Sequence, residues 1–159
     1  MNTYIKVFNN LKIDKKYLFK NEEGLSLNSK KCRSEIRKYL SNLGYKLNDM
    51  EIFYSNEGRP YFKSINLNFS FSHTKNFSVF VISSKKVGVD IEVFDPLRDY
   101  NKLSERLNIT GDFLKEWTKR EAILKATDGS FTELMSPSNK NVKMSFFKKN
   151  NLYLHIAEI

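Results

Sequence analysis

The chain has 159 residues and a formal net charge of +9 at neutral pH. That length suits one compact domain or two small halves sharing a core, and 40% apolar content with 13 Phe and 8 Tyr is enough to build that core without disulfides or a structural metal. A single cysteine, Cys32, excludes an internal disulfide framework and a cysteine-rich zinc site. It fits a reducing, cytoplasmic setting. The basic balance implies an anionic partner: nucleic acid, a phosphate-rich small molecule or an acidic protein. The opening MNTYIKVFNN lacks the apolar core of a secretory signal, and the longest strongly apolar run, FSVFVIS, is too short to span a bilayer, so no membrane partner is expected.

In chain order, TYIKVF reads as a strand, and residues 12–23, basic and then acidic, read as a short helix or loop. SLNSKKCRSEIRKYLSNLGY reads as a helix, with Ile36, Tyr39, Leu40 and Leu43 as its apolar stripe and Gly44 as its C-cap. IFYSNEGRPYF reads as strand, turn, strand around Gly58 and Pro60. In INLNFSFSH, Leu67, Phe69 and Phe71 alternate with Asn68, Ser70 and Ser72, the pattern of a half-buried strand with a polar tip. FSVFVISS and VGVDIEVF make two more strands, and DPLRDYNKLSERLNI reads as a loop plus a short helix. GDFLKEWTKREAILKATDG is the clearest helix, capped by Asp112 and ended by Gly129. NVKMSFFKKNNLYLHIAEI reads as a hairpin turning at 149–151. Strands and helices mix without regular βαβ alternation, so the expected class is α+β.

Two features resist a purely structural account. In VGVDIEVF, Val87, Val89, Ile91 and Val93 share one face of a strand, so Asp90 and Glu92 share the other. Adjacent like charges repel unless water or a cation separates them. In the long helix, Phe113, Leu114, Trp117 and Leu124 form an apolar stripe, and Glu121 falls inside it with Lys125 one turn on. A charge on a buried stripe costs free energy unless it is compensated. A solvated strand face and an edge Glu–Lys pair would explain each feature alone. Taken together, three carboxylates on otherwise apolar elements make an oxygen-rich pocket suited to Mg²⁺, an ion usually held against substrate phosphates. Arg59, in the EGRPYF turn, could grip a phosphate with its fork, and Ser72 and His73 end a strand. His155, in the tail, reads as structural. No zinc-type His–Glu spacing, Walker loop or GxGxxG occurs.

Four blocks in this order, GRP (58–60), FSFSH (69–73), VGVDIE (87–92) and WTKREAILKA (117–126), resemble the 4′-phosphopantetheinyl transferases. That family's patterns read roughly as G-K-P, an S-H pair, G-[VI]-D-[IV]-E and W-[ST]-x-K-E-[AS]-x-x-K. The Asp-x-Glu strand and the front half resemble the surfactin-synthetase-activating type, in a compact variant. The resemblance implies a pseudo-dimer of two similar α+β halves in one chain. Here these would be an N-terminal half, 1–86, with coenzyme A phosphate contacts, and a C-terminal half, 87–159, with the Mg²⁺-binding and catalytic motifs. It implies Mg²⁺-dependent transfer of phosphopantetheine from coenzyme A to a serine of an acidic apo carrier protein, releasing adenosine 3′,5′-bisphosphate, by a cytoplasmic monomer. Carried over by motif, Asp90, Glu92 and Glu121 would hold Mg²⁺. Glu121 or a metal-bound water would take the serine proton, and Lys125 would contact a phosphate. Arg59, Ser72 and His73 would bind coenzyme A phosphates, with Arg33 on the early helix reaching the 3′-phosphate.

The sequence departs from the family pattern at Arg120, where a lysine is usual, and in the short interval between Glu92 and Glu121. Two alternatives stay open. A basic nucleic-acid-binding module would account for the charge and the aromatics but not for the three carboxylates. A catalytically inactive relative would bind coenzyme A or a carrier without transfer.

Overall fold

The computed structural model describes residues 3–9, 12–129, 131–134 and 141–159. Among them run β1 (Tyr4–Phe8), α1 (Leu27–Asn42), β2 (Ile52–Tyr54), β3 (Pro60–Phe62), β4 (Asn68–His73), β5 (Ser78–Ser83), β6 (Val87–Val93), α2 (Tyr100–Leu107), α3 (Phe113–Thr127), β7 (Lys143–Lys149) and β8 (Leu152–Glu158). The class is α+β, and residues 12–23 contain two short 3-10 turns, Lys15–Tyr17 and Lys20–Glu22. No helix among the described residues is long and apolar enough to cross a membrane.

The strands form two antiparallel three-stranded sheets, ordered β1-β5-β4 and β6-β8-β7, with β2–β3 as a separate ribbon. The order is the same in both sheets. The first strand in sequence lies at one edge, the last lies in the centre, and the middle one takes the other edge. Each sheet carries a helix on one face. Cys32, Ile36 and Leu40 of α1 pack on Phe8, Phe69, Phe80 and Ile82, and Ala122, Ile123 and Ala126 of α3 pack with Ala157 of β8.

The strand alternation explains how the sheets meet. Val79 and Val81 point away from α1 and bury against Val87, Val89 and Ile91 of β6 and Leu154 and Ile156 of β8. Each such side chain contributes about 1.5–3 kcal/mol when fully buried. Val87, Val89 and Ile91 therefore hold β6 in the core, which leaves Gly88, Asp90 and Glu92 facing α3. A Cβ at Gly88 would stand 2.1 Å from the Ala122 carbonyl oxygen and 2.6 Å from the Ala126 nitrogen. Only glycine lets the helix backbone lie this close to the strand.

That close approach corrects the expected stripe of α3. The face against the sheet is the small one, Thr118, Ala122 and Ala126, all buried. Phe113 and Leu114 are buried too, but Trp117, Glu121 and Leu124 are only half-buried. The stripe read as core is partly a cleft wall. The β4 expectation changes as well. Ser70 and Ser72 are buried rather than solvated, because β4 lies against the outer edge of β6. Their hydroxyls accept from the N–H groups of Val89 and Ile91 at 3.2 and 3.4 Å. At the helix ends, Gly44 takes the positive-φ position after α1 as expected, while Leu43, read as part of the apolar stripe, is half exposed, and Asp128, not Gly129, takes the left-handed position after α3.

Candidate active site

The polar end of β4, the α3-facing side of β6 and the half-buried side of α3 converge on one cleft of about 330 Å³. Phe71, Ser72 and His73 come from β4, Asp90 and Glu92 from β6, and Trp117, Glu121 and Lys125 from α3. A second hollow of about 260 Å³ shares Phe71 and Lys125 with it and extends to Tyr54, Gly58, Arg59 and Asp128. Six of the sequence-derived candidates thus share one cleft: Ser72, His73, Asp90, Glu92, Glu121 and Lys125. Arg59 stands in the adjoining hollow, and Arg33 in neither.

Asp90 is the most enclosed of the carboxylates, 5% exposed. Its Oδ1 accepts from Ser72 Oγ at 2.8 Å and from Lys125 Nζ at 2.7 Å, while its Oδ2 is buried without a hydrogen-bond partner. An unpartnered buried carboxylate oxygen is expensive unless a cation or donor meets it. Glu92 and Glu121 feel the same surroundings. Burial and then the Asp90 charge push the Glu92 carboxyl above its usual range, against the pull of Arg98 and Lys125. Burial raises Glu121 too, with Lys125 opposing and Asp90 adding to the rise. Lys125 also donates to the Val89 carbonyl at 3.2 Å.

Ser72 does not offer its proton to the cleft. That proton goes to Asp90 Oδ1, so Ser72 holds this carboxylate in place. Arg33 lies outside both the cleft and the hollow. It is 4% exposed, pairs with Glu22 and donates to the Tyr54 hydroxyl. Burial pushes Glu22 up, but its bonds to Arg37, Phe19 N–H and Arg33 prevail and hold it below its usual range. Tyr54, its hydrogen-bond partner, lines the hollow. Arg59 reaches the hollow with its fork largely engaged: Nη1 donates to the Ala126 carbonyl at 3.2 Å and to Asp128 at 3.1 Å, and Nη2 to Asn68 at 3.3 Å. It ties the 55–59 turn to the C-terminal end of α3, where a cation is favoured.

Arg120 points away from the cleft. Its guanidinium donates to the carbonyls of Leu107, Asn108 and Leu134 and to Glu116, fastening the end of α2 to α3. His73 is held below its ordinary pKa by burial and then by Lys125, with Asp90 opposing. Sequence reasoning missed Tyr54, Phe71 and Trp117 as cleft walls. Trp117 sat inside a motif and Phe71 inside the strand alternation, but no pattern marked Tyr54.

Among the described residues no group of three His, Cys, Asp or Glu side chains is already gathered as a metal site. The donor set nonetheless fits a hard cation. It is all oxygen, it brings three carboxylates against one lysine, and it includes the buried, unpartnered Oδ2 of Asp90. No protein-family model matches the chain, and no curated protein matches it.

Proposed function

We propose that the chain is a 4′-phosphopantetheinyl transferase, moving phosphopantetheine from coenzyme A to a serine of an apo carrier protein. The observation that carries this reading is the meeting of Asp90, Glu92, Glu121 and Lys125, from two separate sequence blocks, in one cleft with a buried carboxylate oxygen left unpartnered. The shared strand order of the two sheets supports the further reading that 1–86 and 87–159 are two copies of one α+β unit, working as a monomer.

Mg²⁺ would be held by Asp90, Glu92 and Glu121, the two glutamates turning toward Asp90, and when bound it would act as a Lewis acid on the diphosphate. The chain's own groups do the rest. Lys125 has three N–H donors, two of them given to Asp90 and Val89, and the third meets a phosphate oxygen and offsets charge that develops as the P–O bond breaks. His73 donates to a phosphate oxygen at the cleft rim. Tyr54 and Arg59 border the adjoining hollow, which takes the adenosine bisphosphate end. The serine Oγ forms a bond to the phosphorus of the pantetheine-side phosphate. The bond from that phosphorus to the bridging oxygen breaks, and adenosine 3′,5′-bisphosphate leaves with the electron pair. The serine proton passes to a carboxylate oxygen of Glu121.

The charge distribution agrees. Residues 1–86 carry 16 Lys and Arg against 7 Asp and Glu, whereas 87–159 carry 11 of each. A basic half suits a polyanionic coenzyme and an acidic carrier protein, and it speeds their encounter. The same basic half would serve a nucleic acid, but the three carboxylates would repel that ligand's phosphates.

The test is direct. The protein is incubated with coenzyme A, Mg²⁺ and a panel of apo carrier proteins, and the carriers are weighed by mass spectrometry. One of them should gain the phosphopantetheine mass. Coenzyme A binding with no carrier modified would favour an inactive relative, and salt-sensitive DNA or RNA binding without coenzyme A affinity would favour the nucleic-acid reading.

A further inference from the structure

His73 has a neighbour that the reaction scheme above does not use. Asn28, in the first turn of α1, sets its amide nitrogen 3.3 Å from the Thr74 carbonyl oxygen and 3.5 Å from His73 Nδ1. A carbonyl oxygen can only accept, so the NH₂ of Asn28, not its oxygen, must face Thr74. The same nitrogen, with its second hydrogen, faces His73. A donor on that side makes His73 Nδ1 the acceptor, and the ring proton of the neutral imidazole then sits on Nε2, in a side chain that lines the cleft.

The other histidine resolves the opposite way. Thr118 Oγ1 has one hydrogen, which goes to a main-chain carbonyl of its own helix, best to Leu114 at 2.7 Å. Its contact with His155 Nδ1 at 2.8 Å must then be one in which the ring donates. His155 therefore carries its proton on Nδ1. The chain's two histidines serve as each other's control.

We propose that Asn28 is a positioning residue that locks His73 as the Nε2–H tautomer, so that the ring presents a neutral N–H donor to an anionic oxygen in the cleft. That this oxygen belongs to a coenzyme A phosphate rests on the transferase reading. The tautomer does not. A neutral donor suits this place, because burial first and then the neighbouring Lys125 disfavour a charged ring, with Asp90 opposing.

The test is two-bond ¹H–¹⁵N correlation spectroscopy of the histidine rings in selectively labelled protein above pH 7, with His73→Gln used to identify the His73 signals. The expected result is one ring of each tautomer, His73 protonated on Nε2 and His155 on Nδ1. Asn28→Ala should return His73 toward a mixture of tautomers while the His155 pattern stays put, which also reports that the fold is intact. Coenzyme A titration of the same variant should show affinity weakened about 3- to 10-fold, the range for one lost hydrogen bond, with little change in kcat. An Nδ1–H tautomer at His73, or a tautomer indifferent to Asn28→Ala, overturns the proposal. If Asn28→Ala shifts the tautomer but the wild-type protein binds no coenzyme A, the role of Asn28 stands and the transferase reading falls.

Discussion

β1 against α1 and β6 against α3 hold the same place in their respective sheets, yet the two seams are filled in opposite ways. In the first, Lys6 meets Glu35 at 2.6 Å, and Tyr4 stacks on Tyr39 with ring centroids 3.8 Å apart. One cation answers one anion, and the rest is aromatic packing. In the second, Asp90 meets Lys125 at 2.7 Å, but Glu92 and Glu121 line the same cleft. Three carboxylates stand against one lysine, and one oxygen of Asp90 has no partner. The balanced seam needs nothing further. The unbalanced one is stable in a half-buried place only if its glutamates hold protons more tightly than usual or if a cation arrives. The same strand position thus carries a balanced contact in one sheet and an unbalanced carboxylate cluster in the other.

The sharpest way to break this comparison is to substitute each seam and read activity and stability separately. Asp90→Ala should lower transfer by at least about 1,000-fold, equivalent to about 4 kcal/mol of barrier, while circular dichroism shows an intact fold. Substantial turnover in that variant would remove the functional meaning of the second seam. Gly88→Ala attacks the scaffold beneath it. With the Ala122 carbonyl 2.1 Å from the new methyl, α3 must shift, and denaturant unfolding should show a loss of about 1–3 kcal/mol, together with reduced transfer as Glu121 and Lys125 move.

A third prediction falls on the buried side of α3, where Thr118 meets His155. His155, opposite Asp90 on the central strand, is depressed to about 4 by burial and by Lys119 and Lys115, against Glu116. A histidine that folds neutral binds fewer protons folded than unfolded. Its stabilisation is therefore complete above its unfolded pKa of about 6.5 and is lost as pH falls toward 4, by on the order of 3 kcal/mol in all. Stability curves at pH 7.5 and pH 4.5 should diverge less in His155→Gln than in wild type. The smallest expected effect on activity lies in the balanced seam. Lys6→Met leaves Glu35 buried without its partner and should cost about 1–3 kcal/mol, with transfer per folded molecule unchanged. A large loss of activity there would erase the contrast between the seams.

Much of this was legible in the sequence because periodicity and caps are local. The VGVDIE alternation gave both the core face and the carboxylate face of β6, and Asp112 caps its helix through a side-chain bond to Lys115 N–H. What stayed hidden depends on which elements touch. Nothing local says that β4 lies along β6, so Ser70 and Ser72 looked solvated and Ser72 looked free to bind phosphate. Arg33 looked like a ligand contact because Glu22, eleven residues earlier, showed no periodic link to it. The stripe of α3 was misassigned because small residues, Thr118, Ala122 and Ala126, carry a weak hydrophobic signal, yet Ala122 and Ala126 are what Gly88 brings close to β6.

The central claim is that the unbalanced seam is a metal–diphosphate site. Crystals grown with coenzyme A and Mn²⁺ in place of Mg²⁺ test it through the anomalous signal of manganese. The expected result is a manganese peak bonded to Asp90 Oδ2, with Glu92 and Glu121 turned toward it and the coenzyme A diphosphate alongside. Coenzyme A bound without manganese at these carboxylates, under conditions where Mn²⁺ supports transfer, would contradict it.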